Sequence, residues 1–561
     1  MDYKTNYEKW LNFEGLDSTL KNELKGMDEK TKEDAFYKNI EFGTAGMRGV
    51  LGAGTNRMNI YMVRKANVGY AKWILEQPNG KERGVVISYD NRHQSYIFAN
   101  ESAKILAGFG IKTYIMESLR PTPELSFAVR YLKCAGGIMI TASHNPAEYN
   151  GYKVYDDTGC QLIPEWADQV TKYVNEVEDE LAVKVPDEDE VYDLINWVGE
   201  EIDRAYYDAV KSCEINPGLD KSDFKIVYSP QHGADNWPVR TVLKELGYDI
   251  VPVLSQCAPD PDYYNTKSPN PEVASSYDEA IKLAKRVDAD VIAITDPDGD
   301  RLGVVAKHNG EYVLMSGNQS AAVYLEYILS QLKEQGKLPT NAVMYNTIVT
   351  SDLGELVARS YGVDVEKTLT GFKFIGDKIR KYEKTGEKQF IFGYEESYGC
   401  VVKDFVRDKD AVQAVLLAAE CGNYYKKQGK DLIDVLNELY AKHGTFKESQ
   451  IALAKAGVEG AKRIAEIMDN LRKESPKEIG GYKVTLAEDY ANSTRSDGSV
   501  IDLPKSNVLK YYLEDGSWIA ARPSGTEPKC KFYFSIKGKD AADAASKTEV
   551  FQKAMMAAIG E

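Results

Sequence analysis

The stretch Asp290-Val-Ile-Ala-Ile-Thr-Asp-Pro-Asp-Gly-Asp-Arg301 carries the fold in miniature. Val291 to Thr295 form an unbroken run of apolar and β-branched residues. Such a run reads as a strand buried on both faces, and it passes directly into a polar Pro/Gly loop. The same order recurs in Gly84-Val-Val-Ile-Ser-Tyr-Asp90, Gly137-Ile-Met-Ile-Thr141, Lys225-Ile-Val-Tyr-Ser229, Ala342-Val-Met-Tyr-Asn346 and Gln389-Phe-Ile-Phe-Gly-Tyr394, with longer helical patterns between. Strand–helix alternation predicts an α/β fold with largely parallel pairing. In such sheets ligands are expected at the loops beyond the carboxyl ends of the strands.

At 561 residues the chain exceeds what one core can fill. A prior of about 150 residues per domain predicts about four domains. The expected boundaries are 1–202, 203–315, 316–444 and 445–561. The acidic stretch between Glu176 and Asp193 reads as a solvated excursion near the end of the first. The last segment differs in kind. Trp518-Ile-Ala-Ala-Arg522, a loop, Lys531-Phe-Tyr-Phe-Ser-Ile536 and an Ala-rich helix from Asp540 predict a smaller α+β domain. No fixed period is visible, which argues against a solenoid.

Composition narrows the function. With 43% hydrophobic and 28% charged residues the chain is ordinary globular protein, not a disordered one. Its 70 basic against 86 acidic residues leave a net charge of −16. That charge argues against nucleic acid or an anionic membrane as partner. Cysteines 134, 160, 213, 257, 400, 421 and 530 are odd in number, dispersed and free of any C-x-x-C pair. They predict reduced thiols, with neither a disulfide framework nor a zinc site. Met1 to Asn6 is polar and lacks a secretion signal, and the longest apolar runs, such as Ala414 to Ala419, are too short to span a bilayer. The expectation is a soluble cytoplasmic protein.

Four loops carry the unusual chemistry. In Thr141-Ala-Ser-His-Asn-Pro-Ala-Glu-Tyr-Asn-Gly-Tyr-Lys153, a strand delivers Ser143 to a turn-rich loop, where it can act as nucleophile or phosphoryl carrier or simply as a turn residue. A serine hydrolase is disfavoured: there is no G-x-S-x-G elbow, and His144, adjacent in the chain, is not expected to bring its ring onto Ser143 as a base. Asp296, Asp298 and Asp300 alternate on a tight loop and can converge on one hard cation, Mg²⁺ or Ca²⁺; a solvated acidic turn is the plain alternative. An EF-hand fails, because Arg301 stands at its glycine position and Lys307 at its terminal glutamate. Three protein carboxylates leave room for a phosphoryl oxygen, the pattern of a catalytic metal site. Gly393-Tyr-Glu-Glu-Ser-Tyr-Gly399 offers acids and a hydroxyl for sugar hydroxyls, or the acidic start of a helix. Arg522-Pro-Ser-Gly-Thr-Glu-Pro-Lys529 combines an Arg fork, two hydroxyls and a Gly into an anion nest. No Walker A pattern occurs.

In order and wording these loops resemble the signature loops of the α-D-phosphohexomutase superfamily, which holds phosphoglucomutases and phosphomannomutases. The resemblance implies three similar α/β domains plus a smaller C-terminal α+β domain around a central active-site cleft. It implies that Ser143 is a phosphoserine whose phosphoryl oxygen joins Asp296, Asp298 and Asp300 on Mg²⁺. Lys153, Arg301 and Arg48 of Gly43-Thr-Ala-Gly-Met-Arg48 match residues near the transferred phosphoryl, and His144 stands beside it. Thr370, Gly371 and Lys373 match a sugar-recognition loop; Glu395 and Ser397 match the grip on the sugar 3- and 4-hydroxyls. Arg522, Ser524, Gly525 and Thr526 match the distal phosphate clamp, and Lys409 within Arg407-Asp-Lys-Asp410 matches a general acid/base. The small-molecule partners implied are sugar phosphates, with glucose 1,6-bisphosphate as intermediate and activator. The Gly43–Arg48 wording and Met58-Asn59 resemble a branch that holds bacterial phosphoglucomutases, phosphopentomutases and sugar-bisphosphate synthases, which favours glucose phosphate over mannose or pentose phosphate. Two rivals stand outside this class. A haloacid-dehalogenase-type phosphatase would use Asp296 as nucleophile, but Asp300 stands where its motif wants Thr or Val. A silent sugar-phosphate binder would not need Ser143 and all three acids.

Overall fold

The computed structural model describes residues 2–43, 46–455, 457–524 and 529–561. The chain forms two compact units, one from Met1–Ser316 with Phe372–Asp431, the other from Gly317–Gly371 with Leu432–Glu561. The third segment expected from the sequence is thus divided between them.

The first unit contains two sheets. One is built from β1 (Met47–Val50), β2 (Val85–Tyr89), β3 (Thr113–Met116), β4 (Gly136–Ile140), β5 (Tyr149–Tyr155) and β6 (Ile195–Val198), in the order β1-β5-β4-β2-β3-β6. Side chains alternate across a strand. Accordingly Val85 and Ile87 of β2 join Val63, Tyr70 and Ile74 of helix Ile60–Leu75, while Val86 between them joins Leu125 and Val129 of helix Thr122–Tyr131. Both faces are covered by helices, so an unbroken apolar run is what this strand needs. The other sheet comprises β7 (Lys225–Ser229), β8 (Asp249–Pro252), β9 (Val291–Thr295), β10 (Leu302–His308) and β11 (Glu311–Met315), in the order β11-β10-β9-β7-β8.

Pairing departs from the largely parallel expectation. β2 is parallel to β3 and β4, β3 to β6, and β7 to β8 and β9. β5 runs antiparallel to β4 and β1, and β10 antiparallel to β9 and β11. The reason is connection length. Residues 141–148 and 296–301 join their strands without a helix, and a parallel crossover needs about a dozen residues or more. Both loops are therefore hairpin connections at the carboxyl ends of strands that are parallel on their other side.

Phe372–Asp431 adds an antiparallel pair, Gln389–Tyr394 with Cys400–Val401, and helix Ala411–Lys426, buried along almost its whole length. In the second unit Ala342–Thr347 pairs parallel with Asp364–Thr368. An antiparallel sheet there runs Thr445–Ala454, Lys529–Gly538, Trp518–Pro523, Leu509–Leu513, Tyr482–Asp489. Its core joins Ile519, Phe532 and Phe534 to Ile467 and Leu471 of helix Gly457–Lys473 and Phe551 and Met555 of helix Ala541–Ala558. All seven cysteines are buried and unpaired. Among the described residues no helix is long and apolar enough to cross a membrane.

Candidate active site

The loops that follow β4 and β9 meet. Ser143 lies in the left-handed region at φ +51°, uncommon for a residue with a Cβ. Its backbone N–H donates to Thr141 Oγ1 at 2.8 Å and its buried hydroxyl donates to Asp296 Oδ2 at 2.7 Å. His144 corrects the sequence reading: its Nδ1 stands 3.2 Å from Ser143 Oγ. The left-handed turn at Ser143 curls the chain and returns the neighbouring ring to the hydroxyl. Burial, then the positive charges of Arg301 and Arg48, hold this imidazole well below the usual histidine range, so it is neutral.

Asp296, Asp298 and Asp300 present carboxylate oxygens within 4.8 Å of one another, and all three side chains are buried. Asp296 Oδ1 accepts the backbone N–H groups of Asp300 at 3.0 Å and Arg301 at 2.9 Å, which closes the loop and leaves Oδ2 for Ser143. Asp298 Oδ2 accepts Lys153 Nζ at 2.9 Å and the Thr122 hydroxyl at 3.0 Å. Lys409 Nζ lies 3.1 Å from Asp300 Oδ2 and 3.8 Å from Glu395 Oε2. Asp298 Oδ1 and Asp300 Oδ1 are buried without a hydrogen-bond partner. Two orphaned carboxylate oxygens beside a third acid form a donor set that suits a hard cation. Burial and the charges of Asp298 and Asp300 push Asp296 well up, whereas Asp298, despite its burial, is held far down by Lys153. Without a cation, such a cluster keeps its charges apart by holding a proton on one member.

Two glycines are required by their surroundings. Gly299 has φ +71°, and a Cβ there would lie 2.2 Å from Asp235 Oδ1. At Gly399 a Cβ would come within 2.1 Å of Lys409 Cδ, blocking the path of that side chain. The loop 393–399 is tied to the strand that leaves the Asp296–Asp300 loop by Leu302 N–H, which donates to Tyr398 O at 2.9 Å. The Ala411 N–H donates to Gly299 O at 3.0 Å and anchors the helix that follows Lys409.

The first unit thus gathers Ser143, His144, Lys153, Asp296, Asp298, Asp300, Glu395 and Lys409. Arg48, at the surface, donates to Asn145 Oδ1 at 3.0 Å on the Ser143 loop. Arg301 donates to Glu272 at 2.7 Å, its Nε 3.7 Å from Asp300. Ser397 is half-buried beside Glu395, and Lys373 is buried in the first turn of helix Phe372–Thr385. Thr370 and Gly371 belong to the second unit, as do Arg522 and Ser524, both half-buried, where Ser524 N–H donates to Lys529 O at 2.7 Å. Gly525 and Thr526 lie outside the described residues, as do Thr44 and Ala45 before Arg48. Sequence reasoning missed Thr122, Glu272 and Arg92. Arg92 was within reach of it, because it follows the strand ending at Tyr89 as Ser143 follows its own.

The chain matches four domain families in order: the phosphoglucomutase/phosphomannomutase alpha/beta/alpha domains I, II and III over residues 39–181, 204–310 and 316–443, and the C-terminal domain over 456–553. It is 38% identical over 528 residues to a phosphoglucomutase of Staphylococcus epidermidis, covering 93% of this chain and 95% of that one. A phosphoglucomutase of Staphylococcus aureus is 37% identical over 547 residues, covering 96% and 97%. Among solved structures, the open form of the Paramecium phosphoglucomutase parafusin aligns with a TM-score of 0.70 at 19% identity, over 94% of this chain and 96% of that one, a likeness of fold. The chain belongs to the phosphoglucomutase/phosphomannomutase family of the α-D-phosphohexomutases. These are metal-dependent enzymes of the isomerase class.

Proposed function

We propose that this protein is a phosphoglucomutase, interconverting glucose 1-phosphate and glucose 6-phosphate through a phosphorylated Ser143. The observation that carries the reading is the 2.7 Å hydrogen bond from Ser143 Oγ to Asp296 within a buried three-carboxylate loop. The names of relatives that match nearly the whole chain favour glucose over mannose or pentose. The free, buried thiols support the cytoplasm as its compartment.

Asp296, Asp298, Asp300 and an oxygen of the carried phosphoryl would hold Mg²⁺, which when bound offsets negative charge on the phosphoryl oxygens. Phospho-Ser143 transfers its phosphoryl to the free hydroxyl of a sugar monophosphate. The bond from phosphorus to Ser143 Oγ breaks as that to the sugar oxygen forms, the proton of the sugar hydroxyl is given up and one is taken by Ser143 Oγ, and glucose 1,6-bisphosphate results. After the bisphosphate turns end for end, Ser143 accepts the other phosphoryl. Transfer of this kind depends on positioning and on cover for the equatorial oxygens, tasks we assign to Arg48, Lys153 and Arg301. Despite its burial, Lys409 has its proton held above the usual lysine range by Asp300 and Glu395, so it enters as a cation; the general acid/base role is assigned to it on its sequence match. His144, whose Nδ1 lies 3.2 Å from Ser143 Oγ, is assigned a catalytic role at that oxygen. Glu395 and Ser397, with Thr370, Gly371 and Lys373, are assigned to the sugar. Arg522, Ser524, Gly525 and Thr526 are assigned to the second phosphate on their sequence pattern alone.

The test is an incubation with glucose 1-phosphate, Mg²⁺ and a trace of glucose 1,6-bisphosphate, reading glucose 6-phosphate and free phosphate together. Isomerisation without phosphate release, lost in Ser143→Ala, is the expected result. Phosphate release that survives Ser143→Ala would overturn it and make Asp296 the nucleophile.

A further inference from the structure

Behind the Ser143 loop lies a guanidinium that none of the roles above uses. The Arg92 side chain is fully buried. One of its terminal nitrogens donates to Ser143 O at 2.6 Å and Asn145 O at 2.5 Å; the other donates to Pro146 O at 2.8 Å and Tyr149 O at 3.0 Å. Three carbonyls of the loop and that of Tyr149, the first residue of β5, therefore converge on one planar cation. We propose that Arg92 is a positioning residue for phosphoryl transfer, imposing the left-handed backbone at Ser143 that aligns its Oγ with the metal loop. The inference rests on the reading of Ser143 as the phosphoryl carrier.

The geometry explains why the residue is an arginine. Guanidinium presents five N–H donors in a rigid fork, whereas an ammonium donates from a single point. Only a fork reaches from the Ser143 carbonyl to that of Tyr149. The fork is itself aimed from both sides. Its Nε lies 3.3 Å from Asp90 Oδ2, and Asp90 Oδ1 is taken by the Arg92 N–H at 3.0 Å and the Ser95 hydroxyl at 2.7 Å. The Tyr263 ring lies over the guanidinium, its centroid 5.3 Å away. Tyr263 is itself left-handed at φ +52°, and its segment is gripped by the residues flanking Arg92. Asn91 donates to Asp260 O at 2.8 Å, and His93 Nε2 lies 2.7 Å from Asp262 Oδ1.

A backbone conformation that side chains disfavour persists only where the surroundings over-determine it. Here the surroundings are the fork. Without it the loop's inward-facing carbonyls lose their donors and the loop must turn to find others. Ser143 Oγ then leaves its place against Asp296. Every terminal N–H contact of the guanidinium falls on a main-chain carbonyl, so Arg92 acts through the loop and not on the phosphoryl. Its loss should cost turnover and leave sugar affinity alone.

The experiment uses the full chain with Mg²⁺ and compares wild type, Arg92→Lys, Tyr263→Leu and Ser143→Ala. It reads kcat and KM for glucose 1-phosphate, phosphate on Ser143 by intact mass after incubation with glucose 1,6-bisphosphate, and the thermal transition. Arg92→Lys keeps the charge and removes the fork. It is expected to lose kcat by roughly 100-fold, the scale set by displacing a reacting group by about 1 Å. KM should hold within about threefold, phosphorylation of Ser143 should slow in step with kcat, and unfolding should stay cooperative. Wild-type kcat, a change in KM alone, or a kcat loss matching the unfolded fraction would overturn the inference. If Arg92→Lys does not fold, Tyr263→Leu decides: a folded protein with kcat reduced about tenfold supports the inference, and unchanged kcat overturns it. Mutase activity in Ser143→Ala would instead sink the reading beneath it, whatever Arg92 does.

Discussion

Lys409 Nζ lies 3.1 Å from Asp300 Oδ2, so a residue from the far side of the third sequence segment neutralises the last acid of the three-aspartate loop. Lys153 does the same for Asp298 at 2.9 Å. Two lysines therefore share the loop with any cation that enters, and they compete with it for carboxylate oxygens.

That competition can be measured. Lys409→Met is expected to lower kcat by a factor on the order of 100 to 1,000, the usual weight of a positioned acid. It should also lower the Mg²⁺ concentration needed for half-maximal activity, because Asp300 is released from its ion pair. A Mg²⁺ titration of the variant checks both, and a raised requirement would count against the competition.

Ser143 separates stability from activity. Ser143→Ala and Ser143→Gly both lack the hydroxyl and both should be inactive. They differ in the backbone, since φ +51° is disfavoured by about 1–2 kcal/mol for a residue with a Cβ and free for glycine. The glycine variant should therefore melt higher than the alanine variant by scanning calorimetry.

Gly299→Ala tests the metal loop from behind. Its Cβ would meet Asp235 Oδ1 at 2.2 Å on a backbone at φ +71°. The loop must move, and Asp298 and Asp300 with it. Calorimetric Mg²⁺ binding should be lost while the far-UV spectrum is kept.

Lys510, in the second unit, links stability to pH. Burial, then the charge of Lys367, push it down to about 7, although its Nζ donates to Ile348 O at 2.7 Å and lies 4.0 Å from the Trp518 ring centroid. An unfolded lysine titrates near its ordinary value of about 10.4. Between these values the unfolded chain binds more protons than the folded one, so this group makes stability rise with pH from about 7 to about 10.4. Below about 7 its penalty is complete, on the order of a few kcal/mol. The second unit of wild type should gain stability from pH 6 to pH 9 relative to Lys510→Met, and parallel curves would refute the assignment.

Much of this was legible in one dimension because the signals are local. An apolar run covered on both faces, followed at once by polar residues, marks Val85–Tyr89, Gly136–Ile140 and Val291–Thr295 as strands delivering loops. Alternate carboxylates at Asp296, Asp298 and Asp300 mark a candidate cation loop in the sequence, and their burial sets them apart from a solvated acidic turn. Pairing direction was less visible, since it depends on whether a helix separates two strands. His144 was misjudged for a related reason: adjacency disfavours its contact with Ser143 only if the backbone is ordinary, and the left-handed φ at Ser143 has no mark in the residue type.

By itself the sequence determined which chemical groups this protein has and which strands carry them, because hydrophobic periodicity and turn chemistry act between near neighbours. Only the tertiary structure decided that Lys409 closes the charge on Asp300, that Thr122 and Lys153 share Asp298, and that Arg92 holds the backbone of Ser143. Those contacts join residues far apart in the chain. They form where buried charges and carbonyls, cut off from water, must find partners in whatever the packed layers bring within about 3 Å.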